Sequence, residues 1–299
     1  MRKVVFISDF FANQLVGGAE LSLQTLIDVC PNEKILINSE DVDREFINAN
    51  KDAFWAIGNY TNLKYTLLPD IAEKIEYAVI EFDYKFCRHR NPAMHKYVEG
   101  IECNCNKTFG KRIEDFYKSA KVVFWMSEKQ LEIFITKLNG IKACNNVVLS
   151  SIFSDETLDY IKNLRNLSKG KDRSGMIVTA HKSWVKGYEN TVRYCSENKI
   201  KPKIIGARAY KDLLKILSES EGLVYMPNGE DTCPRLVIEA KLLGCELVLN
   251  DFVQHKDEKW FKELNLEEMD IFLRYRKYLF LSSIKQFIDE NVDKKEVSL

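Results

Sequence analysis

The sequence carries no excess charge of either sign: Lys+Arg is 44 and Asp+Glu is 44 in 299 residues. A balanced chain exerts no global pull on nucleic acid or on an anionic membrane, so any anion site must be local. Long apolar runs are also missing. No window approaches the roughly 18 apolar residues of a membrane-spanning helix. The start, Met1-Arg-Lys-Val-Val-Phe-Ile-Ser-Asp9, holds an apolar run fit for a buried strand and too short for a secretion signal. The expected compartment is the cytoplasm, with no integral membrane segment and no nucleic-acid partner. The Gly-x-Gly-x-x-Gly fingerprint of dinucleotide sites is absent, and no internal repeat is visible. With 45% hydrophobic and 29% charged residues, the composition is that of a globular protein and excludes disordered and fibrous classes. The length suggests two domains with enough core to fold without disulfides. The eight cysteines (Cys30, Cys87, Cys103, Cys105, Cys144, Cys195, Cys233 and Cys245) are therefore read as reduced thiols.

Short apolar strands alternate with amphipathic helices. Strands are predicted at Val4–Ser8, Lys34–Asn38, Tyr77–Phe82, Val122–Trp125 and Val147–Ser150. Helices are predicted at Ala19–Val29, with Leu21, Leu23, Leu26 and Ile27 on one face, and at Glu128–Leu138, capped by Ser127. A charged helix then ends in the polar stretch Leu167–Gly175, the best linker candidate. The pattern restarts with strands at Met176–Ala180, Lys203–Ile205, Leu223–Met226 and Leu247–Asn250, and helices at Tyr210–Leu217 and Pro234–Leu243. From Asp257 the chain reads as helical, ending in a charged tail. Two such blocks predict an α/β protein of two Rossmann-like, parallel-sheet domains, residues 1–170 and 171–299, facing a cleft. Ligands of such sheets bind at the carboxyl ends of strands.

Three motifs lie there. Val16-Gly17-Gly18-Ala19-Glu20 opens a helix; glycines admit a ligand to the backbone, and first-turn amides attract an anion. His181-Lys182-Ser183-Trp184-Val185-Lys186-Gly187 follows a strand, and its two lysines suit a diphosphate. The most informative is Glu230-Asp231-Thr232-Cys233-Pro234-Arg235-Leu236-Val237-Ile238-Glu239-Ala240. Pro234 pre-sets the first helical turn. Asp231 and Glu239 are placed to project toward one ligand, with Arg235 between them. Glu239 stands in an apolar helix, where a carboxylate is costly unless paired.

The carboxylate-x7-Glu pattern of Asp231 and Glu239, with Gly244 and an apolar strand beyond it, resembles the donor motif of GT-B glycosyltransferases. It is most similar to the large retaining group called family four. The Gly-Gly-Ala-Glu loop and Lys186-Gly187 fit the same family at their places. The chain departs from it in having Asp231 where Glu is usual and Thr232-Cys233-Pro234 where Gly-Phe-Gly is usual. The resemblance implies a hexosyltransferase-type enzyme moving a sugar from a nucleotide-sugar to an acceptor, which could be a glycan, lipid, protein or small molecule, with retention and without a metal. It implies that the last helix crosses back to the first domain. Glu239 would bind the ribose, Asp231 or Glu230 with Thr232 the sugar, and Lys186 the diphosphate, helped by Lys182 or Arg235, while Gly17 and Gly18 close over the phosphates. Lys186 and Asp231 are the expected catalytic groups of the donor side. The alternatives are an epimerase or phosphorylase of the same fold, and a non-catalytic nucleotide- or sugar-binding protein.

A fourth constellation runs from Glu81 through Asp83, Cys87-Arg88-His89-Arg90 and His95 to Cys103-Asn104-Cys105. One reading is an acceptor-side loop, with Asp83, Arg88 and Arg90 contacting the acceptor and His89 as its catalytic residue. The other is a structural zinc site drawn from Cys87, His89 or His95, Cys103 and Cys105. Cys-x-Cys is not the usual Cys-x2-Cys spacing, so reduced thiols, with no metal and no cofactor, are preferred.

Overall fold

The computed structural model describes residues 2–107 and 109–289, and the charged tail expected after the last helix lies outside them. The first half comprises β1 (Val4–Ser8), α1 (Gly18–Val29), β2 (Lys34–Asn38), α2 (Arg44–Ala49), β3 (Phe54–Ile57), α3 (Leu68–Lys74), β4 (Glu76–Glu81), α4 (Pro92–Glu99), α5 (Phe109–Ser119), β5 (Val122–Trp125), α6 (Glu128–Lys137) and β6 (Asn146–Val148). The second comprises α7 (Asp155–Ser168), β7 (Met176–Thr179), α8 (Tyr188–Glu197), β8 (Pro202–Ile205), α9 (Tyr210–Glu219), β9 (Gly222–Tyr225), α10 (Arg235–Leu242), β10 (Glu246–Leu249), α11 (Lys259–Lys262) and α12 (Leu266–Ile288).

Two all-parallel sheets result, ordered β2-β1-β3-β4-β5-β6 and β10-β9-β7-β8. The central strands β1, β3 and β5 are buried along their whole length. This is why they read as unbroken apolar runs and not as alternating patterns. Pro202, which cannot donate to a ladder, opens the edge strand β8. Ser127 caps α6 by accepting the Gln130 amide, as its sequence position predicts.

α7 packs on α9, α10 and α12, and Arg165 on α7 donates to the Leu242 carbonyl. It therefore packs with the helices of the second half, and β6 is the last strand of the first sheet. α12 starts in the second domain and returns to the first. Its Phe280 meets Phe124 of β5 with ring centroids 5.0 Å apart, and the Ile288 carbonyl accepts the Arg2 amide at 3.0 Å. One apolar core consequently runs through both halves.

Candidate functional site

The carboxyl ends of β7 and β9 and the start of α1 surround a cavity of about 290 Å3 between the two domains. Its walls include Gly17 and Gly18 at the start of α1, His181 and Lys186 after β7, Arg208 and Tyr210 after β8, and Arg235 and Glu239 on α10. The structure thus brings together Gly17, Gly18, Lys186, Arg235 and Glu239 from all three sequence motifs. Three cationic side chains and one carboxylate line the space, so it favours an anion.

Lys186 owes its place to Gly187. Gly187 has φ +62°, and a Cβ there would overlap the Met226 carbonyl and come within 2.8 Å of Pro227 Cα. Only glycine allows the Lys186 turn to lie so close against the end of β9. The turn is then tied down by the Asn228 amide, which donates to the Val185 carbonyl at 3.0 Å. Lys186 Nζ donates to Asp231 Oδ2 at 2.8 Å, and the Tyr225 hydroxyl donates to the same oxygen at 2.5 Å. Asp231 itself is fixed by a parallel bridge to Val253.

Glu239 is buried, and its burial raises its pKa, opposed by Arg235 and the Tyr210 hydroxyl. Tyr210 donates to Glu239 Oε1 at 2.6 Å, and Arg235 Nε lies 3.4 Å from that oxygen. Arg235 also stacks on Phe153, 3.9 Å from the ring centroid, and donates to the Ile152 carbonyl. Arg235 is therefore a buried counter-charge that orients Glu239, and Arg208 and Lys186 are the cations with solvent-facing reach. A Cβ on Gly18 would touch Arg235 Cδ at 3.5 Å, so α1 closes directly on this group.

Other candidates lie elsewhere. Lys182 is exposed and lines an adjacent cavity of about 810 Å3 on the far side of His181. Glu230 turns away from Asp231: its Oε2 accepts the Ala93 amide at 3.0 Å, and its carbonyl accepts Asn91 Nδ2 at 2.8 Å. It fastens the loop before α10 to the start of α4. Thr232 likewise donates to the Phe82 carbonyl at 3.0 Å. In the first domain, Asp83 is bound by Arg90 Nε at 2.7 Å and Lys85 at 3.1 Å. Burial would raise the pKa of Asp83, yet Lys85 and Arg90 together leave it lowered. Arg88 and His89 point away from this group, both onto Glu99, with His89 Nε2 at 2.9 Å. The acceptor-side constellation therefore splits, and His89 stands outside the cleft group. The sequence holds one Asp-x-Asp triplet, Asp41-Val42-Asp43, and Asp43 serves there as the cap of α2.

His181 opens the second sequence motif without a role of its own there, and Arg208, Tyr210 and Tyr225 stand outside all the sequence motifs. His181 Nδ1 accepts the Ser183 amide at 3.0 Å, which leaves the proton on Nε2. Burial and then Lys186 lower its pKa, so it faces the cavity as a neutral donor. Its signal was its position, directly after a strand. The tyrosines belong to the second-domain framework and reach the site only through the fold.

No protein-family profile and no curated protein matches this chain. Solved structures do. A UDP-forming α,α-trehalose-phosphate synthase from Burkholderia xenovorans is 9% identical with a TM-score of 0.56, covering 95% of this chain and 98% of that one. The trehalose-6-phosphate synthase OtsA is 11% identical with a TM-score of 0.60, covering 95% and 99%. Anabaena Alr3699/HepE, in complex with UDP and glucose, is 11% identical with a TM-score of 0.51, covering 96% and 98%. The likeness establishes the fold: two Rossmann-like domains in the GT-B arrangement. No helix among the described residues is long and apolar enough to cross a membrane.

Proposed function

We propose that the protein is a glycosyltransferase that moves a sugar from a nucleoside-diphosphate-sugar to an acceptor hydroxyl. The observation that carries this reading is the interdomain cavity, where Lys186, Arg208, Arg235 and Glu239 meet Gly17 and Gly18. Glu239, held by Tyr210 and Arg235, accepts from the ribose hydroxyls. Asp231, beside Lys186, takes the sugar hydroxyls. Breaking the bond between the anomeric carbon and the phosphate oxygen leaves negative charge on the departing diphosphate. Lys186 and Arg208 offset that charge, and a preorganised site does so without reorganisation. The acceptor oxygen bonds to the anomeric carbon, and its proton passes to the departing diphosphate oxygen. The acceptor approaches from the first domain, past Asp83 and Arg90. Retention rests on the family resemblance. A metal-free mechanism is supported by the cations already aimed at the diphosphate position and by the use of Asp43 as a helix cap.

The complex of the Anabaena neighbour with UDP and glucose makes UDP-sugars the first donors to try. Purified protein incubated with a panel of nucleotide-sugars is expected to release nucleoside diphosphate, slowly even without an acceptor, and Lys186→Ala is expected to abolish the release. Saturable binding with no release from any donor would make the protein a binder and overturn the enzymatic reading.

A further inference from the structure

The fourth sequence constellation folds into a compact cluster away from the cavity. Cys87, His95, Cys103 and Cys105 are all buried, and their ligand atoms lie within 4.8 Å of one another. We infer that these four side chains form a structural zinc site, absent from the cleft chemistry but anchored beside it. On spacing alone, Cys87-x7-His95-x7-Cys103-x-Cys105 lacks the usual Cys-x2-Cys pair and favours free thiols. The fold supplies what the spacing does not. Cys87 is presented by a tight double turn in which the Cys87 amide donates to Tyr84 and the Arg90 amide to Cys87, each at 2.8 Å. Arg90 takes φ +56° to complete it. His95 follows on the first turns of α4, which Asn91 caps. Gly100, with φ +73°, then turns the chain back so that Cys103 and Cys105 return to the same point.

Distances separate the metal from a thiol cluster. His95 Nδ1 is 3.8 Å from Cys87 Sγ and 3.6 Å from Cys105 Sγ. In a tetrahedron with Zn–S of about 2.3 Å and Zn–N of about 2.0–2.1 Å, the N···S edge is roughly 3.5 Å and the S···S edge roughly 3.8 Å. The widest pair in the cluster therefore needs to draw in by only about 1 Å. Nδ1 has one lone pair or one proton, so it serves two sulfurs only through a three-centre hydrogen bond, whereas one ion on that lone pair accounts for both separations. Of the two histidines open from sequence, the structure selects His95; His89 is engaged by Glu99.

Three sulfurs and one imidazole, all buried, leave no open position, so the ion is structural and takes no part in transfer. On binding, the three thiols give up their protons to solvent as zinc–sulfur bonds form. The site fixes the segment whose Asn91 and Ala93 hold Glu230, so it braces the donor motif from the first domain.

The test uses the full chain, expressed and purified under reducing conditions without chelator. Elemental analysis is expected to give about one zinc per chain. Apoprotein refilled with Co2+ is expected to show the visible bands and sulfur-to-cobalt charge transfer of a tetrahedral thiolate site. Chelation is expected to lower Tm, and zinc to restore it. Cys103→Ser and Cys105→Ser are expected to lose the metal, and Cys144→Ser to keep it. If the serine variants fail to fold, the wild-type zinc content and cobalt spectrum decide alone. Zinc-free wild-type protein of unchanged Tm that gives no thiolate spectrum with Co2+ overturns the site, whatever the donor assays show.

Discussion

The side chain of Lys186 keeps 36% of its surface accessible while its ammonium lies 2.8 Å from Asp231 Oδ2. It is therefore positioned by one carboxylate and still free to meet an anion. Lys186→Ala is expected to weaken nucleoside diphosphate by about 1.5–3 kcal/mol, the range for a charge-assisted contact, while the free nucleoside binds as before. Calorimetry with both ligands checks this, and equal losses would move the lysine off the diphosphate. Glu239 calls for a different probe. Its removal leaves Arg235 buried without a counter-charge, which costs about 3–5 kcal/mol of stability. Glu239→Ala is thus expected to lower Tm. Glu239→Gln keeps the size and the Tyr210 hydrogen bond but not the counter-charge to Arg235, and is expected to lose less Tm than Glu239→Ala while binding nucleotide weakly. Wild-type affinity in the Gln variant would remove the ribose assignment. The cleft glycines differ in kind. Gly187 is required by backbone and overlap alike, so Gly187→Ala is expected to lose stability and Lys186 function together. Gly18 needs neither positive φ nor empty space for one methyl. Gly18→Ala is expected to be tolerated. The branches of Gly18→Val press on Arg235, so turnover should fall more than Tm; the reverse pattern would assign this glycine to the fold alone.

Helix ends join the two domains. Asn91 at the start of α4 meets the Glu230 carbonyl, and the first amide of α6, on Glu128, is accepted by Glu258 Oε1 at 2.8 Å. Burial pushes the Glu258 carboxyl up to about 7, against the opposing hydrogen bonds from Trp260 and Glu128. The folded chain therefore holds this proton more tightly than the unfolded chain does. The stability contributed by the group is full below the ordinary carboxylate range and is lost as pH rises through about 7. Wild-type Tm is expected to fall between about pH 5 and pH 8 through this group, a differential on the order of 3 kcal/mol. Glu258→Gln, neutral throughout, is expected to flatten that slope; identical pH profiles would show that another group titrates. The cap at Ser127 was legible in sequence because capping is local. The role of Glu258 was not, since its partner lies 130 positions away. The same limit explains Glu230 and Asp231. Adjacent carboxylates are equivalent on paper, and only the docking of α4 turns one outward from the site. β3 is missed although Phe54-Trp-Ala-Ile57 is an unbroken apolar run like the predicted Val122–Trp125; a run that short does not separate a buried strand from a buried helix segment.

At the scale of the molecule, two parallel sheets and the glycine–lysine–carboxylate cavity were legible because strand periodicity and strand-end position are sequence properties. The allegiance of α7 was not. Its buried Leu158 and Ile161 form an apolar stripe that fits either sheet, and the sequence does not say which one it covers. α12 raises the same question more strongly, because it serves both halves. Phe280, fully buried, packs on Phe124 of the first sheet, and Phe287 stacks on Phe54 with centroids 5.8 Å apart. Its earlier turns pack on α10 and α7. A helix shared in this way couples the unfolding of one domain to the other, since neither core stays covered when it leaves. The wild-type chain is therefore expected to melt in one calorimetric transition. Phe280→Ala removes a large buried ring and should cost about 3–5 kcal/mol. Because the lost contact lies between the helix and the first domain, its effect should exceed a simple shift. The first domain should now melt below the second, splitting the endotherm, and the nucleotide should stabilise only the later transition. Two independent transitions already present in the wild-type chain would show that α12 packs across the domains without coupling them.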